Sequence, residues 1–326
     1  MASGMDSATL VLGAAGFIGS HLTDRLLASG ERVIGVDNLS RGTRKNIEHL
    51  TGNQRFEFYE ADLANREALP GILAKMPVRT VWHMAANSDI PAGIADPNVD
   101  LRDTFQTTFH ALGAMRTAGV LRIAFASSSA VYGAHEQILT EDTGPLFPIS
   151  NYGAMKLASE AIISAAAESF LERAWIFRFP NVIGPRATHG IIYDLLRKLQ
   201  ITDNELEVLG DGSQQKPYLH VSELVDAMML IRAKSDARLN CYNIGPADEG
   251  TTVRKIAETV LQHTSPGTPI RYTGGRRGWV GDVPRFRYSI EKLRALGWSP
   301  RMSSQAAVEL AVEEIHREFY PETVGV

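Results

Sequence analysis

Tyr152 and Lys156 stand four residues apart in the run Ser150-Asn151-Tyr152-Gly153-Ala154-Met155-Lys156. On a helix that spacing puts both side chains on one face. A phenol ordinarily titrates near ~10, and a neighbouring ammonium favours its anion. The pair therefore reads as a general base that takes the proton of an alcohol. Ser127, Ser128 and Ser129 lie upstream at a predicted strand end and can bring a hydroxyl to the same cluster.

A second constellation opens the chain. Thr9-Leu10-Val11-Leu12 is a short apolar strand that runs into Gly13-Ala14-Ala15-Gly16-Phe17-Ile18-Gly19, and an amphipathic stretch from Ser20 to Ser29 follows. Strand, glycine turn and helix in that order form a dinucleotide cradle. Gly13 permits the tight turn, Gly16 lets the backbone approach a pyrophosphate, and Gly19 lets helix and strand pack closely. The amides at the helix start, around Phe17 and Ile18, face the phosphates. The next strand, Arg32 to Val36, ends at Asp37, eighteen residues after Gly19. A carboxylate there accepts both hydroxyls of an adenosine ribose and repels a 2'-phosphate, which favours NAD over NADP. Arg41 and Arg44 nearby keep NADP open.

These residues need a scaffold, and the chain supplies one. Its 326 residues, 44% apolar and 21% charged, fit a large folded domain with a second lobe. A net charge of -4, with no basic block carrying interleaved aromatics, argues against a nucleic-acid partner. The small Arg276-Arg277 cluster suits a phosphate better. One cysteine, Cys241, rules out an intramolecular disulfide and speaks against a cysteine-based zinc site, and no metal is expected. No apolar run approaches the ~18 residues of a membrane span, and the start lacks a stretch of signal-peptide length, so a cytoplasmic protein is expected.

Strands are predicted at Phe56–Glu60, Thr80–Met84, Arg122–Ala126 and Ala174–Phe179, with helices at Arg66–Met76, Val99–Ala118 and Tyr152–Arg173. The alternation predicts an α/β fold with a doubly wound, Rossmann-like parallel sheet and a smaller C-terminal α/β lobe. Ligands of such sheets collect at the carboxyl ends of the strands. Asp37, Asp62, His83, Ser127 and Asn181 all follow strand ends and would line one crevice. The expected cofactor domain spans 8–180, with 218–248 returning to it. The expected substrate lobe comprises 181–217 and 249–326.

Several motifs together resemble the extended short-chain dehydrogenase/reductases over nearly the whole chain, and within them the nucleotide-sugar 4-epimerases. They are the glycine turn, Asp62-Leu63, His83-Met84-Ala85-Ala86, Ser127-Ser128-Ser129-Ala130-Val131-Tyr132-Gly133 and Tyr152-Gly153-Ala154-Met155-Lys156. Asn181-Val182-Ile183-Gly184-Pro185-Arg186, Leu209-Gly210-Asp211-Gly212 and Arg277-Gly278-Trp279-Val280-Gly281-Asp282 carry the narrower likeness. The resemblance implies NAD as cofactor, held by the glycine turn, Asp37, Asn38, Asp62, Leu63, Ala85 and Ala86. It also implies Tyr152 as base, and Lys156 as its electrostatic partner and a ligand of the nicotinamide ribose. Ser128 and Ser129 would meet the sugar, and Asn181, Lys216, Arg277 and Asp282 the rest of a nucleotide-diphosphate sugar.

The implied reaction is 4-epimerisation by transient oxidation at C4, turning of the ketone and hydride return, with UDP-glucose and UDP-galactose as the default pair. A homodimer through the helices at Val99–Ala118 and Tyr152–Ser169 is implied as well. Ser129 and Ala130 stand where related dehydratases carry an acid and a base, which disfavours elimination and decarboxylation. Thr104 replaces a usual asparagine, and Lys216 replaces an arginine, keeping charge but losing the bidentate fork. Phe286 favours unacetylated hexoses, while Arg285 or Arg287 would suit a uronic acid. A ketosugar reductase with exchangeable cofactor and a non-enzymatic dinucleotide sensor are the competing readings.

Overall fold

The computed structural model describes residues 7–135, 137–202, 204–275 and 286–321. Two compact units emerge: 1–133, 144–178 and 228–242 in the first, 134–143, 179–227 and 243–326 in the second.

The first unit is built on a sheet of seven strands: β1 (Ala8–Leu12), β2 (Val33–Asp37), β3 (Phe56–Glu60), β4 (Val78–His83), β5 (Arg122–Ala126), β6 (Arg173–Arg178) and β7 (Leu239–Asn243). Their order is β7-β6-β5-β4-β1-β2-β3, and the pairs from β3 to β6 run parallel. The order reverses between β1 and β4, the switch point at which doubly wound sheets bind ligands. β1 and β2 are buried along their whole length, as strands covered on both faces must be. Leu10, Leu12, Ile34, Val81, Ile123 and Ile176 form the centre of the core.

Three helices serve the site: α1 (Phe17–Ala28), α2 (Thr107–Ala118) and α3 (Asn151–Ser169). α3 starts where Ser150 Oγ accepts a hydrogen bond from Gly153 N at 3.1 Å, a serine N-cap. Its inward stripe is Gly153, Lys156, Ser159, Glu160, Ile163 and Ala167, a spacing of three and four that puts Lys156 and Glu160 against the protein.

The expected helix at Arg66–Met76 shrinks to Pro70–Leu73. Asn65 Oδ1 accepts from Glu67 N at 3.1 Å, and such local turns compete with helix formation. The helix expected at Val99–Ala118 is divided. Pro97–Asp100 forms one turn, Leu101–Gln106 is a π-helical segment, and α2 follows. Thr107 and Thr108 both return hydroxyl hydrogen bonds to Thr104 O, at 3.0 and 3.1 Å, a pattern that loosens helical geometry.

The second unit has its own core. Helices Ile191–Ile201, Val253–Thr264 and Ser304–Phe319 bury Leu196, Ile256, Val260, Val308 and Val312. Small strand pairs complete it, among them Asn181–Ile183 with Tyr218–His220 and Leu206–Val208 with Ile270–Tyr272.

Candidate active site

The glycine turn is as tight as its sequence demands. Gly13 has φ +82, and a β-carbon there would lie 2.7 Å from Ala85 N; one on Gly19 would lie 1.9 Å from Gly13 O. β1, α1 and the residues after β4 therefore meet backbone to backbone. Gly16 opens α1 with no side-chain cap, and no acidic residue occupies the first turn. The positive end of a twelve-residue helix is thus left for an anion. Asp37 ends β2 and is buried. Its two oxygens accept from Ala15 N at 3.0 Å and Leu39 N at 2.8 Å. Burial pushes its carboxyl up, and the backbone N–H donors oppose that push. An uncapped helix start, a backbone contact that excludes any side chain and a strand-end carboxylate fit a bound dinucleotide such as NAD.

Asn38 Nδ2 lies 3.4 Å from Asp62 Oδ1, and Asp62 Oδ1 also accepts from Ala64 N at 3.0 Å. The outer oxygen of Asp62 is paired with Arg102 Nη2 at 3.0 Å, a contact with no sequence signature because forty residues separate the partners. Leu63 is buried and belongs to the core, and Ala85 packs against the same core. Ala86 is half-buried in the segment after β4. Arg41 is paired with Asp89 at 3.2 Å. Arg44 is bound to Glu60 and lies over the Phe58 ring at 5.5 Å.

Around the end of β5 the predicted reactive residues come together. Ser128 caps the short 3-10 helix Ser129–Tyr132, its Oγ accepting from Ala130 N at 3.1 Å. Ser128 lies close enough to Tyr152 for its hydroxyl to oppose the upward push on the phenol. Ser129 is half-buried at the start of that helix. Lys156 is buried, donates from Nζ to Ala126 O at 2.6 Å and sits 4.8 Å from the Phe125 ring centroid. The ammonium lies 5.7 Å from the centroid of the Tyr152 ring.

The expected lowering of the phenol is not what the bare protein has. Desolvation pushes Tyr152 up to about 12, the Ser128 hydrogen bond opposes this, and Asp100 adds to it. Burial takes Lys156 down to about 7, while Glu160 and Asp100 hold it up. The reason is physical: burial penalises both charged forms, and Lys156 already has two carboxylates to satisfy. A cationic ring brought near Tyr152 would supply the missing positive charge.

His83 is fully buried, meets Thr108 Oγ1 at 3.2 Å through Nε2 and packs edge-on against Phe125. Burial, then the Lys156 charge, take it down to about 3, so it is neutral and no base. Thr104, at the asparagine position, is buried and accepts from Asn87 N at 3.2 Å.

Two predicted substrate contacts belong to the second unit. Asn181 opens its strand opposite Tyr218. Lys216 is buried on the short strand paired with Thr251–Thr252. Arg277, Asp282 and Arg285 lie outside the described residues. Phe286 stacks on Tyr288 at 5.6 Å, and Arg287 is paired with Glu249 at 3.6 Å. Cys241 is a half-buried strand residue of β7. Among the described residues no acidic, histidine or cysteine cluster suits a metal, and no helix is long and apolar enough to cross a membrane.

The profile of the NAD dependent epimerase/dehydratase family matches residues 9–245, more than half of the chain. The chain belongs to that family. Within it, the UDP-glucose 4-epimerase of Mycolicibacterium smegmatis is 30% identical over 310 residues, covering 94% of this chain and 97% of that protein. A crystal structure of a UDP-galactose 4-epimerase superposes with a TM-score of 0.85 at 36% identity, over 96% of this chain and all of that one. The UDP-glucose 4-epimerase of Thermus thermophilus in complex with NAD gives a TM-score of 0.83 at 30% identity, covering 94% of this chain and 98% of that one. For an epimerase-family member the fold is the expected one: a doubly wound parallel sheet with NAD chemistry at its switch point.

Proposed function

We propose that this chain is an NAD-dependent nucleotide-sugar 4-epimerase acting on UDP-hexoses, with UDP-glucose and UDP-galactose as substrate and product. The observation that carries the reading is the convergence of Ser128, Tyr152 and Lys156 at the end of β5, in a unit that also presents the uncapped α1 and Asp37. A bound NAD would supply the acceptor, and then the donor, of the C4 hydride. The protein handles the proton. Tyr152 Oη removes it from the sugar 4-hydroxyl and returns it at the end, and general-base help of this kind contributes roughly two to four orders of magnitude. Ser128 holds the phenol and the sugar oxygen in one hydrogen-bond path. Lys156, its ammonium 5.7 Å from the Tyr152 ring centroid, is proposed to hold the nicotinamide ribose, and the positive charge the phenolate lacks would come from the cofactor ring. Lys216 and Asn181 are proposed to anchor the diphosphate side of the substrate, so that the sugar ring is free to turn.

Elimination has no agent here, because Ser129 and Ala130 offer neither a carboxylic acid nor its base. We also propose a homodimer. Its support is an exposed apolar surface in the first unit, where Leu101 and Phe109 are 41% and 58% exposed and Phe105 stacks on Phe109. A cytoplasmic location is part of the same proposal. The test is a turnover screen of UDP-, dTDP-, GDP- and CDP-hexoses and the uronic acids, with products separated chromatographically. Interconversion of UDP-glucose and UDP-galactose is expected; turnover confined to another nucleotide or to uronic acids defeats the substrate assignment.

A further inference from the structure

Asp100 is fully buried at the end of the single turn Pro97–Asp100. Its Oδ1 accepts from Asn87 Nδ2 at 2.8 Å, and its Oδ2 has no hydrogen-bond partner among the described residues. The carboxyl fills the space beside Gly93, where a β-carbon would come 1.7 Å from Oδ2. Gly93 O in turn accepts from Asn151 Nδ2 at 2.9 Å, and Asn151 is the residue before Tyr152. A carboxyl half-satisfied in the interior is costly, and only a glycine at position 93 leaves room for it where it stands.

The other acids near the pair have partners. Asp89 is bound to Arg41 at 3.2 Å, Asp103 to Arg102 at 3.3 Å and Glu160 to Arg178 at 2.6 Å. Asp89 and Asp103 act on Asp100 by repulsion and Lys156 by attraction. Lys156 is faced by Glu160 and Asp100, and it acts in turn on His83. Tyr152 is faced by Ser128 and Asp100.

We propose that Asp100 is a positioning residue whose negative charge sets the working pH range of the Tyr152–Lys156 pair, holding the lysine as an ammonium. It touches no reacting atom. The inference rests on the epimerase reading of the same site. Removing the charge favours both the phenolate and the neutral amine, so both limbs of a bell-shaped rate profile move in one direction.

The experiment is Asp100→Asn, which keeps shape and drops charge, with Asp100→Ser as the second variant should the first not fold. The pH dependence of kcat for UDP-glucose is recorded beside the ultraviolet titration of Tyr152 in the cofactor-free protein, taken as the difference from Tyr152→Phe. Both kinetic limbs and the phenol titration are expected to move to lower pH by about 1 unit. A variant that loses rate with limbs and titration unmoved shows a merely structural aspartate and overturns the proposal. If the wild type turns over no nucleotide sugar, the epimerase reading fails by itself, and the phenol titration alone decides the role of Asp100.

Discussion

Two charged clusters lie along α3, one helical turn apart. Around Glu160 every strong group is matched. Arg178 donates to its carboxylate from Nε at 2.9 Å and from Nη2 at 2.6 Å, Ser127 donates to it as well, and Arg178 Nη1 reaches Tyr132 Oη at 3.1 Å. Around Lys156 little is matched: the ammonium has a carbonyl, Asp100 keeps a bare oxygen, and Tyr152 titrates above its ordinary value. The charged groups Lys156, Asp100, Glu160 and Arg178 are all buried in the same unit, so burial alone does not distinguish the two clusters. The closed cluster ties β5, β6 and α3 together. The open one keeps unmet polar demand for molecules that arrive later, at a cost in stability, as functional sites commonly do.

Substitutions can break that contrast. Tyr152→Phe should lower epimerisation by roughly two to four orders of magnitude while the thermal midpoint stays where it was. A matched fall in the midpoint would make Tyr152 part of the scaffold instead. Glu160→Gln should do the reverse: about 3–5 kcal/mol of unfolding free energy lost in urea titration, because a guanidinium is left buried without its counter-charge. A loss below about 1 kcal/mol would show that the two clusters do not differ in kind.

Lys156→Met sharpens the comparison through pH. The folded lysine titrates at about 7, and the unfolded one near ~10.4. Between those values the unfolded chain binds more protons, so wild-type stability rises with pH, by up to about 1.4 kcal/mol per unit from this group. Unfolding measured from pH 7.5 to 9.5 should show that slope in the wild type and a flatter one in the variant; parallel slopes would mean the lysine is comfortable where it is. The smallest effect is expected at Asp37→Asn, with NAD affinity reduced about tenfold by calorimetry, since one charged acceptor becomes neutral and hydrogen bonds to charged groups are worth about 1.5–3 kcal/mol. Unchanged affinity would remove Asp37 from the cofactor site.

Much of this was legible in the residues. The glycine turn and the strand-end Asp37 are local patterns, and their geometry follows from what a turn and a helix start require. The Tyr152–Lys156 spacing is local too, as is the Ser150 cap that starts their helix. The direction of the Tyr152 shift was not legible, because it is set first by burial, with Asp100, fifty-two residues earlier in the chain, adding to it, and both are products of tertiary packing. The Asp62–Arg102 and Glu160–Arg178 pairs escaped for the same reason. The long predicted helices failed where Asn65 and the threonines 107 and 108 offered the backbone other partners, which periodicity does not register.

At the centre of the proposed function stands one event: a single bound sugar loses and regains hydrogen at C4, with Tyr152 proposed to handle the proton. UDP-glucose deuterated at C4 tests it most directly, with the label followed by mass spectrometry while absorbance tracks reduced cofactor. The prediction is UDP-galactose that keeps its deuterium, with no build-up of NADH and no conversion by Tyr152→Phe on the same timescale. Deuterium lost to water, or one NADH released for each sugar consumed, would contradict it.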